Sequence, residues 1–566
     1  MSNNLHSAPT RQVTLHWVHT SDVHGSIFAY DYMKARPTKG GLSSVFAYVS
    51  RLRSQYPGGV VVTDGGDCLQ GQPLAYYYNF INTDSPHLIT EAMNMMHYDC
   101  AVIGNHDVET GHPVYDRWVR ELNCPMLGAN VLDERTGKPY LQPYTVIERG
   151  GVRIAILGLL TPAIPSWLPR ILWEGLTFQD MVECARQWVP RIMKKEHPHL
   201  LVGLFHSGIE GGIQTADYTE NQSRMVAEQV EGFDLIMYGH DHMYAINHFN
   251  SPAGRQVTAI GPTSMGARVA EAEITLTMKG RKVVEKKIAA STSPMTFSDE
   301  REARLFEEKL MPLRRQMESW MDTPIGRIDT TIQERDAYFG PSAFIDLIHQ
   351  MQLDLSGAQI SFAAPLSFDS RLEQGPLTVR DMFRLYKYEN YLYTMRLTGR
   401  EIKDFLEMDY ALWTAQMKSP DDHIMLLEYN LDNGRRMGLK NFSFNFDSAA
   451  GIRYTVDVTK PQGEKINIIS MADGSPFSMD EWYSVAINSY RGNGGGELLT
   501  KGAGIPHDKL QERIVKSTDK DLRYYLIQRV QQAGTLHPRS MDSWRFIPDE
   551  WVRQALEKDR ILLFPK

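Results

Sequence analysis

Residues 100–107, with the sequence CAVIGNHD, decide the interpretation of the first half of the chain. The first four residues are apolar and form a short run typical of a buried strand. Gly104 then allows the backbone to turn sharply, and an amide, an imidazole and a carboxylate follow in succession. A strand that ends in such a loop predicts a functional site at the carboxyl end of the strand.

The same pattern recurs on both sides of this stretch. Short apolar runs alternate with polar loops and helical segments, which predicts an α/β domain. The predicted strands span residues 13–20, 60–63, 100–103, 152–159, 200–205 and 233–238, and residues 257–274 are predicted to close the domain with further β-structure.

Five of these strands end in loops rich in metal-ligand residue types. The loops are SDVHG (21–25), DGGD (64–67), GNHD (104–107), HSG (206–208) and GHDH (239–242). Taken singly, each motif is more often a turn or a cap. Together they favour one site, because loops distant in sequence converge at the carboxyl edge of a sheet.

These residue types suit a pair of divalent metal ions. Imidazole and carboxylate ligands bind zinc, manganese or iron, and a bridging carboxylate holds two cations close together. Two metals roughly 3.5–4 Å apart can neutralise a phosphate ester, activate water and stabilise the leaving oxygen. Isolated histidines such as His16, His87 and His97 are interpreted as structural.

Composition restricts the function classes. A chain of 566 residues predicts two or more domains. The net charge is −8, with 60 basic and 68 acidic residues and no dominant basic block, so polymeric nucleic acid is not an expected partner. The four cysteines, without a CxxC pair, fit neither a zinc knuckle nor a disulfide scaffold.

No segment of the sequence predicts a membrane span. Residues 1–20 lack the apolar core of a signal peptide, and no later run approaches the roughly 20 apolar residues of a membrane helix. If the sequence is complete, the chain is therefore expected in the cytoplasm.

The order D-x-H, G-D, G-N-H-[ED], H, G-H-x-H resembles that of the calcineurin-like metallophosphoesterase superfamily. The resemblance implies a four-layer α/β/β/α sandwich and two divalent metal ions, which could be zinc, manganese, iron or cobalt. It implies seven metal ligands, with Asp67 as the bridge: Asp22, His24, Asp67, Asn105, His206, His240 and His242. It also implies that Asn105 and His106 contact the substrate, that His106 is the general acid and that Asp107 orients the ring of His106.

Motifs in the second half resemble the 5′-nucleotidase C-terminal domain, an α+β domain. They are YEN (388–390), LTG (397–399), NFD (445–447), GIRY (451–454) and NSYRGNGGG (488–496). With both halves, about residues 13–530 resemble the bacterial 5′-nucleotidase and 2′,3′-cyclic-nucleotide 2′-phosphodiesterase/3′-nucleotidase family. The SFAAP motif at 361–365 is closer to the cyclic phosphodiesterase branch.

The second half is expected to select the nucleotide. Two aromatic rings can hold a base between them, with each stack contributing roughly 1–3 kcal/mol. The resemblance places Phe446 and Tyr490 in these roles, although Phe446 also fits a core strand. Arg491 is expected at a phosphate or at a domain interface. Asn488 is expected at the base or ribose or, equally, in the geometry of a turn.

The resulting prediction is a metal-dependent phosphoric ester hydrolase acting on nucleotides. Its expected parts are a dimetal catalytic domain (13–295), a helical linker (296–325), a substrate-binding domain (326–535) and a C-terminal extension (536–566). The alternatives are a hydrolase for a non-nucleotide small anion and a metal-binding surface protein without turnover. The resemblance implies a periplasmic or cell-envelope location if this is the mature form, and a monomer is compatible with the sequence.

Overall fold

A computed structural model describes residues 10–33, 35–215, 218–297, 299–428 and 438–565. The chain divides into two units. The first comprises Met1–Pro165 and Pro169–Glu318, and the second comprises Ser166–Leu168 and Ser319–Lys566. The segment 296–325, predicted as the linker, contains one long helix, and most of this helix belongs to the first unit.

The first unit is built on two six-stranded sheets. Its strands are β1 (Thr10–Thr20), β2 (Tyr30–Asp31), β3 (Arg36–Pro37), β4 (Val60–Asp64), β5 (Cys100–Val102), β6 (Met126–Leu127), β7 (Val131–Asp133), β8 (Tyr144–Arg149), β9 (Val152–Leu160), β10 (Leu176–Phe178), β11 (Leu200–His206), β12 (Leu235–Tyr238), β13 (Ala245–Asn250), β14 (Gln256–Gly261), β15 (Arg268–Lys279) and β16 (Lys282–Pro294). One sheet has the order β16-β15-β1-β4-β5-β6 and the other the order β13-β14-β12-β11-β9-β8.

The helices of this unit flank the sheets. They are α1 (Gly41–Gln55), α2 (Pro73–Tyr76), α3 (Leu88–Met96), α4 (Asn105–Val108), α5 (His112–Glu121), α6 (Met181–Glu196), α7 (Ser223–Gln229) and α8 (Arg301–Met321), which crosses the boundary between the units. On α1, Leu42, Val45 and Val49 are fully buried at helical spacing, so one face packs inward.

The two sheets pack face to face. Trp17, Val61 and Val102 of the first sheet share one apolar cluster with Val202 and Met237 of the second. The opposite face of the second sheet packs against α6 and α7. The predicted α/β/β/α sandwich is therefore confirmed.

The predicted strands are all present, and their directions explain the site. β1, β4, β5 and β6 are parallel neighbours, as are β9, β11, β12 and β14. The carboxyl ends of β1, β4 and β5 lie side by side, because Thr20 pairs with Asp64 and Thr63 with Cys100. The loops that follow these strands are thereby brought to one edge.

The second unit is an α+β domain, as predicted. Its strands are β17 (Pro324–Ile328), β18 (Ile332–Gln333), β19 (Ile360–Ala363), β20 (Arg371–Leu372), β21 (Gly375–Thr378), β22 (Tyr391–Thr398), β23 (Ser448–Ala450), β24 (Ile452–Asp457), β25 (Ile466–Met471), β26 (Trp482–Asn488), β27 (Ile514–Asp521), β28 (Thr535–Leu536) and β29 (Trp544–Ile547). Its helices are α9 (Ala343–Ser356), α10 (Val379–Leu385), α11 (Gly399–Trp413), α12 (Ser489–Gly492), α13 (Leu510–Arg513), α14 (Leu522–Ala533) and α15 (Asp549–Leu563). The main sheet has the order β23-β19-β26-β22-β27.

The residues predicted as a C-terminal extension are part of the core of this unit. Strand β29 pairs in parallel with β24, and the ring of Trp544 stacks on Tyr454 at 5.9 Å. Val552 and Leu563 of α15 are buried in the same cluster. Residues 536–565 therefore pack as part of the second unit, whereas the sequence predicted a separate extension after residue 535.

Within the described part of the chain, no helix is both long enough and apolar enough to cross a membrane.

Candidate metal centre

Two groups of side chains with metal-ligand chemistry lie at the carboxyl edge of the sheets. The first contains Asp22, His24 and His242, and the second contains Asp67, His206 and His240. Within each group, the potential ligand atoms lie within 4.8 Å of one another. The loops that follow β1, β4 and β12 supply five of these residues, and His206 is the last residue of β11.

The first group has the donor geometry of a metal site. The Nε2 atoms of His24 and His242 are 3.0 Å apart, and Asp22 Oδ1 lies 3.3 Å from His242 Nε2. His24 Nδ1 is 3.1 Å from the carbonyl oxygen of Gln70. A proton on Nδ1 donates to this carbonyl, so the Nε2 lone pair faces the group.

A buried carboxylate oxygen in this group also fits a cation. Asp22 Oδ2 accepts hydrogen bonds from Ser21 Oγ at 2.6 Å and from the backbone N–H of His240 at 2.9 Å. Asp22 Oδ1 is buried and makes no hydrogen bond among the described residues. A buried anionic oxygen without a hydrogen bond would be satisfied by a bound cation, which fits the chemistry of this carboxylate and the two imidazoles.

The predicted ligand Asn105 lies beside the second group. His206 Nε2 lies 2.9 Å from Asn105 Oδ1 and 3.2 Å from Asp67 Oδ2, while His206 Nδ1 lies 2.6 Å from the carbonyl oxygen of Gly65. The structure thus brings all seven predicted ligands into two neighbouring groups at one edge. Their individual roles as ligands stay predictions.

The charges of this centre are strongly coupled. Burial alone would raise the pKa of Asp67, but the neighbouring His206 holds it well below the usual range. Burial would lower the pKa of His206, and contact with Asp67 instead raises it to about 9. Burial, with repulsion from His242, lowers the pKa of His24 to about 3.

The backbone of the centre is strained at the ligands. Five of the seven predicted ligands have positive φ angles: Asp22 (53°), His24 (50°), Asp67 (58°), His240 (84°) and His242 (58°). Non-glycine residues rarely adopt this conformation, and it costs of order 1–3 kcal/mol per residue. Backbone strain at five residues with polar side chains in one place indicates a functional site.

Glycines allow the loops to approach each other this closely. A Cβ atom at Gly104 would lie 2.1 Å from Asp67 Oδ1, and one at Gly66 would lie 2.6 Å from the backbone nitrogen of Gly104. Gly66 also has a φ of 88°. The glycines of the DGGD and GNHD motifs are therefore required for the contact between these two loops.

Glu109, rather than Asp107, contacts the predicted general acid. His106 Nδ1 lies 2.5 Å from Glu109 Oε2. Asp107 is fully buried and faces the other way, accepting hydrogen bonds from four backbone N–H groups, those of Asp67, Cys68, Leu69 and Gly104. The orienting role predicted for Asp107 is therefore not supported: Asp107 fixes the loop that carries Asp67, and the carboxylate against the His106 ring is that of Glu109.

Two acidic residues of this region were missed by the sequence analysis. Glu109 could have been found, because on a helical turn residue i+3 faces residue i, whereas residue i+1 does not. The other is Glu220, whose Oε1 lies 2.9 Å from His240 Nε2. No local motif marks Glu220, since the two residues are brought together only by the fold.

Phe446 does not occupy the exposed position expected for a base-stacking ring. It is fully buried, and its ring stacks on Trp413 at 5.4 Å with an interplanar angle of 5°. Phe444, two residues earlier, is partly exposed, as are Phe442 and Tyr490. The interpretation of Phe446 as a core residue is the one that the structure supports.

Arg491 and Asn488 are structural in this conformation. The Arg491 guanidinium is fully buried and lies 2.7 Å from Asp447 Oδ2, and it also donates hydrogen bonds to Asn445 Oδ1 and to the carbonyl oxygens of Phe444 and Gly495. Asn488 Oδ1 accepts the backbone N–H of Arg491 at 2.8 Å and caps α12. These protein acceptors occupy the buried guanidinium in this conformation, so contact with a phosphate, one of the two positions expected for Arg491, is not supported.

The family assignment follows from comparisons of the sequence with known domains. Residues 15–244 match the calcineurin-like phosphoesterase model, and residues 324–501 match the model of the 5′-nucleotidase C-terminal domain. The chain belongs to the calcineurin-like phosphoesterases that carry a 5′-nucleotidase C-terminal domain. Members of the phosphoesterase family are metal-dependent, which agrees with the two ligand groups.

Several known proteins are similar to this chain over nearly its whole length. The chain is 26% identical to the trifunctional nucleotide phosphoesterase protein YfkN of Bacillus subtilis, over 95% of the chain but only 39% of that longer protein. It is 24% identical to the 2′,3′-cyclic-nucleotide 2′-phosphodiesterase/3′-nucleotidase of Yersinia enterocolitica, over 95% of the chain and 89% of the relative. A Staphylococcus aureus protein assigned as a 5′-nucleotidase shares the fold, with a TM-score of 0.77 and 22% identity over 94% of this chain and 99% of that one.

Proposed function

We propose that this protein hydrolyses phosphoesters of nucleotides with the help of two divalent metal ions. The observation that carries the proposal is the pair of ligand groups, Asp22/His24/His242 and Asp67/His206/His240, at one edge of the sandwich. The match of the second half of the chain to a 5′-nucleotidase C-terminal domain supports a nucleotide as the substrate.

The proposed ligands divide into two sets that share Asp67. Asp22, His24 and His242 with Asp67 would hold one ion, and Asn105, His206 and His240 with Asp67 the other. Zinc, manganese, iron and cobalt all suit these nitrogen and oxygen donors. When bound, such ions neutralise the phosphate oxygens and activate water for attack.

His106 is proposed to protonate the leaving ribose oxygen. Its imidazole is partly exposed, and the Glu109 carboxylate lies against Nδ1. The carboxylate fixes the ring and stabilises the imidazolium, so Nε2 can donate its proton to the departing alkoxide. Asp67 Oδ1 accepts the backbone N–H of His106 at 2.7 Å, which ties this acid to the ligand groups.

Phe444 and Tyr490 are proposed to hold the base. Arg491 contacts both residues, because its guanidinium donates to the carbonyl oxygen of Phe444 and lies 5.5 Å from the centre of the Tyr490 ring. Phe442 stacks on Phe444 at 5.1 Å and supports this ring. In this proposal Phe444 takes the stacking role expected of Phe446. Arg491 supports the binding residues from a buried position and does not contact the substrate.

The preferred substrates are proposed to be 2′,3′-cyclic and 3′-nucleotides. Two relatives that are covered over 89% of their length are named 2′,3′-cyclic-nucleotide 2′-phosphodiesterase/3′-nucleotidase, and the SFAAP and NFD motifs favour the same branch. By the same resemblance we propose a periplasmic or cell-envelope location. The net charge of −8 without a dominant basic block disfavours polymeric nucleic acid as a partner.

The experiment that tests this function is phosphate release from 5′-AMP, 3′-AMP and 2′,3′-cyclic AMP after loading with manganese or zinc. For the cyclic substrate, opening of the ring is followed separately by chromatography. We expect turnover of the cyclic and 3′ substrates. Exclusive turnover of 5′-AMP would overturn the proposed preference, and no turnover of any nucleotide would support a non-nucleotide substrate or a binding protein.

A further inference from the structure

Glu220 contacts a predicted metal ligand from outside the ligand groups. Its Oε1 lies 2.9 Å from His240 Nε2, and its side chain is 15% exposed. Among the described residues, the second ligand group contains Asp67, His206 and His240 but not Glu220. The carboxylate therefore lies outside this set of potential ligand atoms.

The position of Glu220 is fixed by the surrounding loops. Its Oε2 accepts the backbone N–H of Ile213 at 2.7 Å, and its own N–H donates to the carbonyl oxygen of Ile213 at 2.8 Å. Its carbonyl oxygen accepts hydrogen bonds from Thr161 Oγ1 at 2.8 Å and Ser207 Oγ at 3.2 Å. Because both the backbone and the carboxylate of Glu220 are held by hydrogen bonds, the carboxylate can in turn fix the ring of His240.

The contact of His240 differs from those of two other predicted histidine ligands. His24 and His206 each direct Nδ1 at a neutral backbone carbonyl, which leaves Nε2 for ligation. His240 directs Nε2 at a carboxylate, so a proton on Nε2 leaves the Nδ1 lone pair for ligation. A carboxylate that accepts the imidazole N–H raises the basicity of the other ring nitrogen more than a neutral carbonyl oxygen does, and so makes it a stronger metal ligand.

We propose that Glu220 is a positioning residue of the metal centre, which sets the tautomer and orientation of His240 and strengthens metal binding at the Asp67/His206/His240 group. The inference rests on the proposed function, since it assumes that this group binds a metal. The Asp22/His24/His242 group contacts the backbone N–H of His240 rather than its ring, so this group is expected to keep its affinity without Glu220.

The experiment measures metal binding by the full-length protein rather than turnover. The variants are Glu220→Gln, which keeps an oxygen acceptor but not the charge, and Glu220→Leu, which removes both. Glu210→Gln is the matched control, because Glu210 lies on the same connection, is 60% exposed and pairs with Arg224. Manganese and zinc dissociation constants are obtained by chelator competition, and bound metal is counted by mass spectrometry after dialysis.

We expect one of the two sites to weaken by about 10- to 100-fold in Glu220→Gln and further in Glu220→Leu. The other site and the control keep wild-type affinity. Cobalt substitution gives an independent readout, because the visible spectrum of only one of two bound ions should change.

If both metal dissociation constants were unaltered in Glu220→Leu, the inference would be overturned. This holds even if the metal-free Glu220→Leu protein were less stable than the metal-free wild type. That result would leave the proposed function intact. A wild-type protein that binds no metal would overturn both the proposed function and this inference.

Discussion

The contact between Glu109 and His106 gives a prediction at the scale of single residues. Glu109→Gln removes the charge that stabilises the imidazolium but keeps His106, so we expect kcat to fall by about 10- to 100-fold, less than the roughly 10²–10⁴-fold attributed to a complete general acid. Metal content should be unchanged. The measurement is steady-state hydrolysis of 3′-AMP across pH.

Asp116→Asn is the control for this prediction. It removes the partner of His112, another histidine–carboxylate contact, at 3.1 Å and on the surface. Its kcat should equal that of the wild type. If Glu109→Gln retained full kcat across the pH range, the role of Glu109 would be contradicted.

The two phenylalanines of the NFD region give the second prediction. Phe444→Ala should raise KM by about fivefold to a hundredfold or more, which corresponds to the roughly 1–3 kcal/mol of one base stack. Phe446→Ala should instead lower the free energy of unfolding by about 3–5 kcal/mol, because it leaves a cavity beside Trp413. Enzyme kinetics and urea unfolding on both variants separate the two effects.

The reverse outcome would support the stacking role that the resemblance implies for Phe446. A stable Phe446→Ala protein with a raised KM, alongside an unaffected Phe444→Ala protein, would identify Phe446 as the stacking ring.

At this scale, the sequence could predict which residue types meet but not which way they face. Asp22, His24 and His242 were found because each follows a recognisable strand. Glu109 was passed over because Asp107 matches the motif position, although Asp107 binds backbone N–H groups. Glu220 could not be found, because the fold alone brings it to His240.

At the scale of elements, helix α9 is joined to two strands of the main sheet by a buried histidine. His349 is fully buried, with Nδ1 2.9 Å from Ser361 Oγ and Nε2 3.0 Å from Ser448 Oγ. Burial lowers the pKa of His349 to about 3. The unfolded chain, with an ordinary histidine pKa near 6.5, takes up a proton at a higher pH than the folded protein.

This linkage predicts that stability falls as pH decreases from about 6.5 towards 3. Between pH 7 and 5, His349 should account for a loss of roughly 2 kcal/mol in the free energy of unfolding. His349→Gln should remove that share of the pH dependence, as measured by urea titrations. His197→Asn, at an exposed histidine, should leave it unaltered, and an unaltered slope in His349→Gln would refute the prediction.

The elements themselves followed from the sequence where apolar runs were continuous. The predicted strand at 200–205 appears as β11 with one more residue. The LTG motif proved structural, because Thr398 caps α11 and a Cβ at Gly399 would lie 2.0 Å from the carbonyl oxygen of Ser478. Sequence resemblance alone does not distinguish such a cap from a substrate contact.

At the scale of the whole molecule, the last residues of the chain complete the second unit. Trp544→Ala should lower the free energy of unfolding by about 3–5 kcal/mol, because Trp544 is 4% exposed and packs against Tyr454 and Trp413. Ile561→Ala is the control, since Ile561 is 63% exposed and should have almost no effect. Equal stability of the two variants, measured by thermal unfolding, would show that this segment is dispensable.

The division of the chain was predictable in outline but not at its end. The sequence motifs indicated the two domains. The helix-forming sequence after residue 296 indicated the boundary between them, where α8 lies. The segment 536–566 carries no family motif, so only its packing shows that it belongs to the core.

The central claim is that two metal ions held around Asp67 hydrolyse nucleotide phosphoesters. The most direct test compares wild type and Asp67→Asn after complete removal of metal and stepwise return of manganese, with 2′,3′-cyclic AMP and 3′-AMP as substrates. Asp234→Asn, which alters a partly exposed aspartate paired with Lys286, is the control. We predict that activity returns with two bound ions in the wild type and the control, and that Asp67→Asn stays inactive at the same manganese concentrations. Full activity in Asp67→Asn, or in metal-free wild type, would contradict the claim.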